Sequence, residues 1–330
     1  MTIQDIALKS GVSPSTVSRV LSGTTPVAPS KKVAVRAAVE ALHYRPNIAA
    51  QGLARGRSRG IGVLTDRMSN RFQSQILGGI EEGLRGTGYY PVFASGEGPD
   101  GGAWAIDLFL SYPADALAIV GGTTPDAQLR SIAEQMPLVA IGRSIEGLGD
   151  RCLQVANEEG AYGATRHLIE LGHRRIAHIT GLRLHPDSID RRRGYERALT
   201  DEGIPIDPRL ILEGNFEEAK ALLAVEELLR RRVRFTAIFA SNDQMACGAG
   251  LALFRRKLRV PHDVSLVGFD DEPSTPYTWP PLSTVRQPMV EMGCTAIRAL
   301  VGSLEGQPFI LPRFRTELVI RESTAPPPQA

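Results

Sequence analysis

Cysteine is scarce. The three present, Cys152, Cys247 and Cys294, lie too far apart for a disulfide framework or a close-spaced zinc motif, so they read as reduced and mostly buried small apolar residues. No apolar run approaches the roughly 18 residues needed to cross a bilayer, and MTIQDIALKS shows no apolar stretch followed by a small-residue cleavage site. A cytoplasmic chain with no membrane partner is expected. Large net charge is also missing, at +2, and the 42% hydrophobic and 22% charged content excludes both a disordered and a fibrous chain. Metal-ligand spacing is absent as well: His167, His173 and His178 fall on a helix end, a turn and a strand, and no metal or other cofactor is expected. What remains is a packed protein of 330 residues, more than one core usually serves, so at least two domains are expected.

The small net charge hides an asymmetry. Residues 1–60 hold nine basic residues against Asp5 and Glu40, a net of +7, which leaves 29 bases against 34 acids and a net of −5 for the remainder. A basic head on an acidic body suggests that the head meets a polyanion; a merely solvated basic tail is the bland alternative, and pattern must decide. Thr2 can cap a helix from Ile3 to about Ser10 that ends at Gly11. Ser13 is a second N-cap, Pro14 suits the first helical position, and Val17, Val20 and Leu21 turn inward, leaving Ser15, Thr16, Ser18 and Arg19 outside. A third helix capped by Ser30 repeats Val35, Ala38, Val39 and Leu42 at helical spacing. Two helices joined by a tight turn and braced by a third form a helix-turn-helix, whose second helix enters the major groove of DNA. Residues 46–54, PNIAAQGLA, have helical spacing but too little length to stay helical alone.

From Ile61 onward, β-rich runs alternate with helical stretches, which points to parallel α/β architecture. Strands are expected at 61–65, 91–95, 116–120, 138–141, 176–180, 237–240 and 264–268, with helices at about 73–86, 126–135, 159–172, 189–202, 217–232, 243–257 and 288–304. That is too many strands for one modest sheet. Ligands in such sheets bind beyond the carboxyl ends of strands, so pocket residues should follow the strands directly.

The run TIQDIALKSGVSPSTVSRVLSG followed by LHYRPNIAAQGLARGRSRGIGV resembles the head and hinge of the lactose/galactose-repressor (LacI/GalR) family of bacterial transcriptional regulators, and the likeness covers nearly the whole chain. It implies a helix-turn-helix domain over 1–45, a hinge over 46–60, and a two-lobed periplasmic-binding-protein-like body over 61–330. The first lobe would comprise about 61–157 and 289–319, the second about 158–288 and 320–330, with crossovers near 156–160, 285–290 and 318–322. It further implies a homodimer on double-stranded operator DNA, with repression as the leading mode, controlled by a small sugar-like effector. The C-terminal TAPPPQA, with no leucine heptad, keeps the expectation at a dimer.

Residue by residue, the resemblance brings Pro14, Ser15 and Arg19 to base edges and Thr16 and Ser18 to phosphates, with Thr2 and Ser13 at the capping ends of the same surface. A guanidinium can bond guanine bidentately, which suits Arg19, although a phosphate contact would serve it as well. Leu53 matches a leucine wedged between base pairs, beside Asn47, Ala50 and Arg55. In the body, Asp66, Asn70 and Phe72 match a first ligand loop; Arg191, Phe216, Asn242, Asp243, Asp270 and Gln287 match the remaining contacts. An arginine fork, carboxylates, amides and two aromatic faces suit a polyhydroxylated ring. Two departures weaken transfer of any particular sugar: Gly142 and Arg143 stand where many relatives have an acid, and Ala156 and Asn157 replace a common Asp-Asn pair. Arg143, taken as an effector contact, keeps an anionic ligand open.

Two motifs compete with this reading. Gly56 to Gly60 satisfies G-x-S-x-G but precedes a strand, the reverse of a nucleophile elbow. Gly96 to Gly101 satisfies G-x-G-x-x-G but follows the second strand of its lobe and carries two acids that would repel a pyrophosphate. A regulator without catalytic activity is therefore favoured over a periplasmic-type sugar receptor and over an NAD-dependent enzyme.

Overall fold

A computed structural model describes residues 1–22, 26–44, 58–96, 101–111, 114–122 and 124–328. Asn47, Ala50, Leu53 and Arg55, and with them the hinge expectation, lie outside the described residues, as does most of the 96–101 glycine loop. The chain divides into two compact units, Met1–Ser58 and Arg59–Ala330.

Among its described residues the first unit holds three helices, α1 (Ile3–Ser10), α2 (Pro14–Ser22) and α3 (Pro29–Ala41). Thr2 opens α1 with a capping box: its hydroxyl accepts from the Asp5 amide while its own amide donates to Asp5 Oδ2 at 2.7 Å. Gly11, at φ 67°, closes the helix. Ser13 Oγ accepts from the Thr16 amide at 3.3 Å and so caps α2. Ser30 does not cap α3; Ala28 stands at that position without a side-chain bond, and Pro29 starts the helix. Ile6, Ala7, Val17, Val35 and Ala38 form a core shared by all three helices.

Among its described residues the second unit contains two sheets of six strands wound the same way. In chain order its elements begin β1 (Gly60–Thr65), α4 (Arg71–Leu84), β2 (Tyr90–Ser95), α5 (Gly101–Ser111), β3 (Ala116–Val120), α6 (Asp126–Ala133), β4 (Leu138–Ile141) and β5 (Cys152–Val155). The chain crosses over into α7 (Asn157–Glu170), β6 (Ile176–Thr180), α8 (Pro186–Asp201), β7 (Ile211–Glu213), α9 (Glu218–Arg230), β8 (Ala237–Ala240), α10 (Asp243–Arg255), β9 (Ser265–Asp270) and β10 (Ser283–Arg286). It returns through α11 (Met289–Leu304) and β11 (Arg313–Phe314) to the first sheet and ends with β12 (Glu317–Val319) in the second. The strand orders are β11-β5-β4-β3-β1-β2 and β12-β10-β9-β8-β6-β7. All pairings are parallel except β10 with β12.

Parallel strands buried on both faces read as continuous apolar runs, and alternate residues serve opposite cores. Ile61 and Val63 pack with α4 and α11 on one face of the first sheet, whereas Leu64 packs with α5 and α6 on the other. In the second sheet Ile179 and Ile238 meet α9 and α10, while Ile176 and Phe239 meet α7 and α8. Each lobe is thus a helix-sheet-helix sandwich. The third crossover falls between Phe314 and Glu317, earlier than the 318–322 read from sequence, because β11 is only two residues long and β12 follows almost at once.

Candidate functional site

In both sheets the winding direction reverses at the first strand, between β1 and β3 and between β6 and β8. Connections leave those strand ends in opposite directions and open a crevice at each carboxyl edge. A cavity of about 550 Å³ lies there, lined from the first lobe by the loop after β1 and from the second by the segments after β6, β7, β8 and β9.

The first wall is built on the N-terminus of α4. Asn70 caps that helix through a bond from the Gln73 amide at 3.1 Å, so Asn70 and Phe72 are held at the cavity rather than on a free loop. Gln73 was not singled out from sequence, yet its Oε1 accepts from Thr65 Oγ1 at 2.6 Å and from the Arg67 amide at 3.1 Å, fixing the loop's path. Asp66 lines the cavity and accepts from the Gly122 amide at 2.9 Å. Gly142, at φ 68°, has a positive-φ backbone, and a Cβ there would lie 3.3 Å from the Phe72 ring. Gly142 therefore provides a flat seat for an aromatic side chain.

The opposite wall centres on Arg191. Its Nε donates to Asn157 Oδ1 at 2.9 Å, its Nη1 donates to the Ser241 carbonyl and lies 3.5 Å from Asp270, and the guanidinium sits 3.8 Å above the Phe269 ring. Asn157 also donates to Asp187 Oδ1 at 3.0 Å, so it orients two cavity residues without lining the cavity itself. Phe216, at φ 62°, lies over Gly181, where a Cβ would come within 2.0 Å of the ring, so any side chain there would displace the ring. Asn242 donates to the Phe216 carbonyl at 3.3 Å and caps α10 by accepting from the Met245 amide at 2.9 Å. His185 and Asp187 are cavity residues that sequence reading missed. His185 stands edge-on to Phe216 at 5.5 Å; burial, assisted by Arg191 and Arg143 against the pull of Asp187, pushes its pKa down and favours the neutral ring.

Asp270 closes the floor. Burial pushes its carboxyl up to about 7, with the Arg191 charge opposing the shift, and Gln287 Nε2 donates to its Oδ1 at 2.7 Å. Asp270 and Asp271 have φ of 112° and 57°, values that side-chain residues hold only where neighbours over-determine them, at about 1–3 kcal/mol each.

Three residues expected at the cavity stand behind it. Arg143 is turned away, paired with Asp126 and donating to the Gly122 carbonyl at 2.9 Å, so its charge is spent before any ligand arrives. Asp243 is buried in α10, accepting from the Glu272 amide at 2.8 Å and from Thr284 Oγ1 at 2.5 Å. Gln287 supports Asp270 rather than facing the space. Asp66, Asn70, Phe72, Arg191, Phe216, Asn242 and Asp270 are brought together around one volume.

On the first unit, Ser15, Ser18 and Arg19 are exposed along α2, as is Pro14 at its start, while Thr16 is half-buried. Ser13 Oγ lies 2.9 Å from both Ser15 Oγ and Thr16 Oγ1, which ties the hydroxyls at the head of the helix into one cluster. Thr2 is engaged by Asp5.

The comparisons with known proteins converge on one family. Residues 2–47 match "Bacterial regulatory proteins, lacI family", and residues 165–324 match "Periplasmic binding protein-like domain". The HTH-type transcriptional regulator GalR of Escherichia coli (strain K12) is 34% identical over 99% of this chain and 96% of its own length. The chain belongs to the LacI family of bacterial regulatory proteins. Among solved structures, this LacI-family chain is similar to the lac repressor dimer bound to operator and an anti-inducer, with TM-score 0.89, 28% identity, and 98% and 99% of the two chains covered. A complex of the regulator CelR with cellobiose gives TM-score 0.75 and 29% identity, covering 98% and 99%. The fold class read from the sequence, a helix-turn-helix head on a periplasmic-binding-protein-like body, is the family's own.

Proposed function

We propose that this LacI-family regulator acts as a cytoplasmic homodimer on a near-palindromic operator of a carbohydrate-metabolism operon, and that a neutral polyhydroxylated sugar in the cavity between the two sheets controls it. The observation that carries the ligand class is the state of the charges. Arg191 already serves Asn157, Ser241 and Asp270, Arg71 pairs with Glu272, and Arg143 pairs with Asp126, while Asp66 and Asp187 keep carboxylate lone pairs for hydroxyl donors and Asp270, its pKa raised to about 7, can present an oxygen or a proton. Hydroxyls donating to charged acceptors gain about 1.5–3 kcal/mol each, and Phe72 and Phe216 offer ring faces to C–H groups. A phosphorylated ligand would meet carboxylates before it met an uncommitted cation. The dimer reading draws support from Tyr277 and Trp279, 87% and 100% exposed on the segment before β10, since large exposed aromatics mark association surfaces. Among the described residues no helix is long and apolar enough to cross a membrane.

The test is a thermal-shift screen of the full chain against D-galactose, D-glucose, cellobiose and glucose 6-phosphate, paired with operator duplexes enriched from a random pool. A neutral sugar should raise the melting temperature and change duplex affinity, with the phosphate ester inert; response to the ester alone would overturn the ligand class. Operator affinity should fall with salt at a log-log slope of about −0.9 per neutralised phosphate, and a flat response would overturn the DNA assignment.

A further inference from the structure

Asp270 and Asp271 are consecutive, yet their carboxylates serve different places. Asp270 faces the cavity. Asp271, 8% exposed, accepts from Arg286 Nε at 2.7 Å, Arg321 Nη2 at 2.7 Å and Thr275 Oγ1 at 2.9 Å. Arg286 is the last residue of β10, where the chain leaves for the first lobe, and its Nη1 reaches Glu317 Oε2 at 3.3 Å, where the chain comes back as β12. Arg321, just beyond β12, also donates to the Leu282 carbonyl at 2.7 Å. One buried carboxylate therefore ties the departing and returning ends of the excursion that visits the first lobe. Burial pushes the Asp271 carboxyl up, but the bonds from Arg321, Arg286 and Thr275 outweigh it and keep the group ionised. A second tie runs through the neighbouring residue: the Gln287 amide donates to the Asp270 carbonyl at 3.2 Å, and its side chain donates to the Asp270 carboxylate.

We infer that Asp271 is a positioning residue that carries occupancy of the cavity, felt at Asp270, to the second and third interlobe crossovers. The two aspartates are joined by one peptide and both have positive φ, so rotation at Asp270 re-aims the Asp271 carboxylate. Arg286 bridges two acids at once, Asp271 through Nε and Glu317 through Nη1, one directly after the sensing strand and one on the returning strand. A contiguous chain of ion pairs from the cavity floor to both crossovers is the kind of packed network through which coupling between sites travels.

The inference rests on the neutral-sugar reading of the cavity, and the experiment separates the two. Full-length wild type, Asp271→Asn and Arg286→Gln are titrated with D-galactose, D-glucose and cellobiose by calorimetry, and hydrogen exchange is followed with and without each sugar. Both variants should bind the sugar that wild type binds, weakened by less than about tenfold, and should lose the sugar-induced protection at 286–288 and 314–317. A purely structural role would lower melting temperature, binding and protection together. Wild-type-like protection in the variants overturns the inference, as does sugar binding to wild type without protection at the crossovers. If Asp271→Asn does not fold, Arg286→Gln decides alone, because it leaves the Asp271–Arg321 pair in place. Failure of wild type to bind any of the three sugars overturns the cavity reading first and the inference with it.

Discussion

His178 is fully buried in β6, stacked between Tyr195 and Phe239 at 4.7 and 4.8 Å, with Nδ1 bonded to the Phe239 carbonyl at 3.0 Å. Burial is the main reason that its pKa is pushed down to about 4. A base with a depressed folded pKa contributes stability that is complete above its unfolded value near 6.5 and is lost as pH falls toward 4, here on the order of 3 kcal/mol. Asp270 works in the opposite sense. Its carboxyl is raised to about 7, so the stability it confers is complete below its unfolded value near 4 and is lost as pH rises through 7. The two effects oppose each other between pH 4 and 7, so the wild-type profile alone isolates neither. The difference in stability between wild type and His178→Phe, measured by urea unfolding, should change across that window; a constant difference would show that the buried ring does not set it. For Asp270, a sugar hydroxyl that favours the ionised carboxyl should release a fraction of a proton near pH 7, read as a buffer-dependent binding enthalpy. No buffer dependence would place the hydroxyl elsewhere.

At the scale of elements, helices approach unusually closely at glycines. A Cβ on Gly79 of α4 would stand 2.0 Å from the Val290 carbonyl oxygen of α11, and one on Gly293 would stand 2.3 Å from the Ile76 carbonyl oxygen. Gly79→Ala gains about 1 kcal/mol of helix propensity but forces backbone against backbone, at a cost of about 3 kcal/mol or more. The collision wins, so a lower urea midpoint is expected; an unchanged one would mean that the seam can open freely. Sequence pattern reached the long elements well, because buried parallel strands such as 116–120, 138–141, 176–180 and 237–240 are unbroken apolar runs whose bounds coincide with the structure. It missed β5, β7, β10 and the α5 helix, whose residues are short or lack a clean period. It reached the cavity residues that directly follow strands. It placed Arg143, Asp243 and Gln287 at the cavity as well, although they stand behind it, because linear position does not reveal that Asp126, Thr284 and Asp270 claim them first. His185 and Gln73 had no pattern of their own: one is defined by Phe216, the other by a loop closing on itself.

On the scale of the whole molecule, each sheet is sewn from separate stretches of chain. The core of the first lobe joins Ile61, Val63 and Ile76 to Met292, Ile297 and Leu300, more than two hundred residues later, and its edge strand β11 comes later still. A chain ending at 288 should therefore leave the α4 face of the first sheet only half covered, by α4 without α11, while the strands of the second sheet through β10 are all present. Limited proteolysis should cut such a chain in the first lobe and spare the second; equal resistance in both would mean that α11 adds little to the first lobe. The same arrangement sets a timetable during synthesis. The head, whose buried core is complete by Ala38, can settle as soon as it leaves the ribosome, whereas the lobe that follows must wait, its apolar face half covered, until α11 and β11 have been made. A stalled ribosome on this message would thus display a finished reader attached to an unfinished sensor.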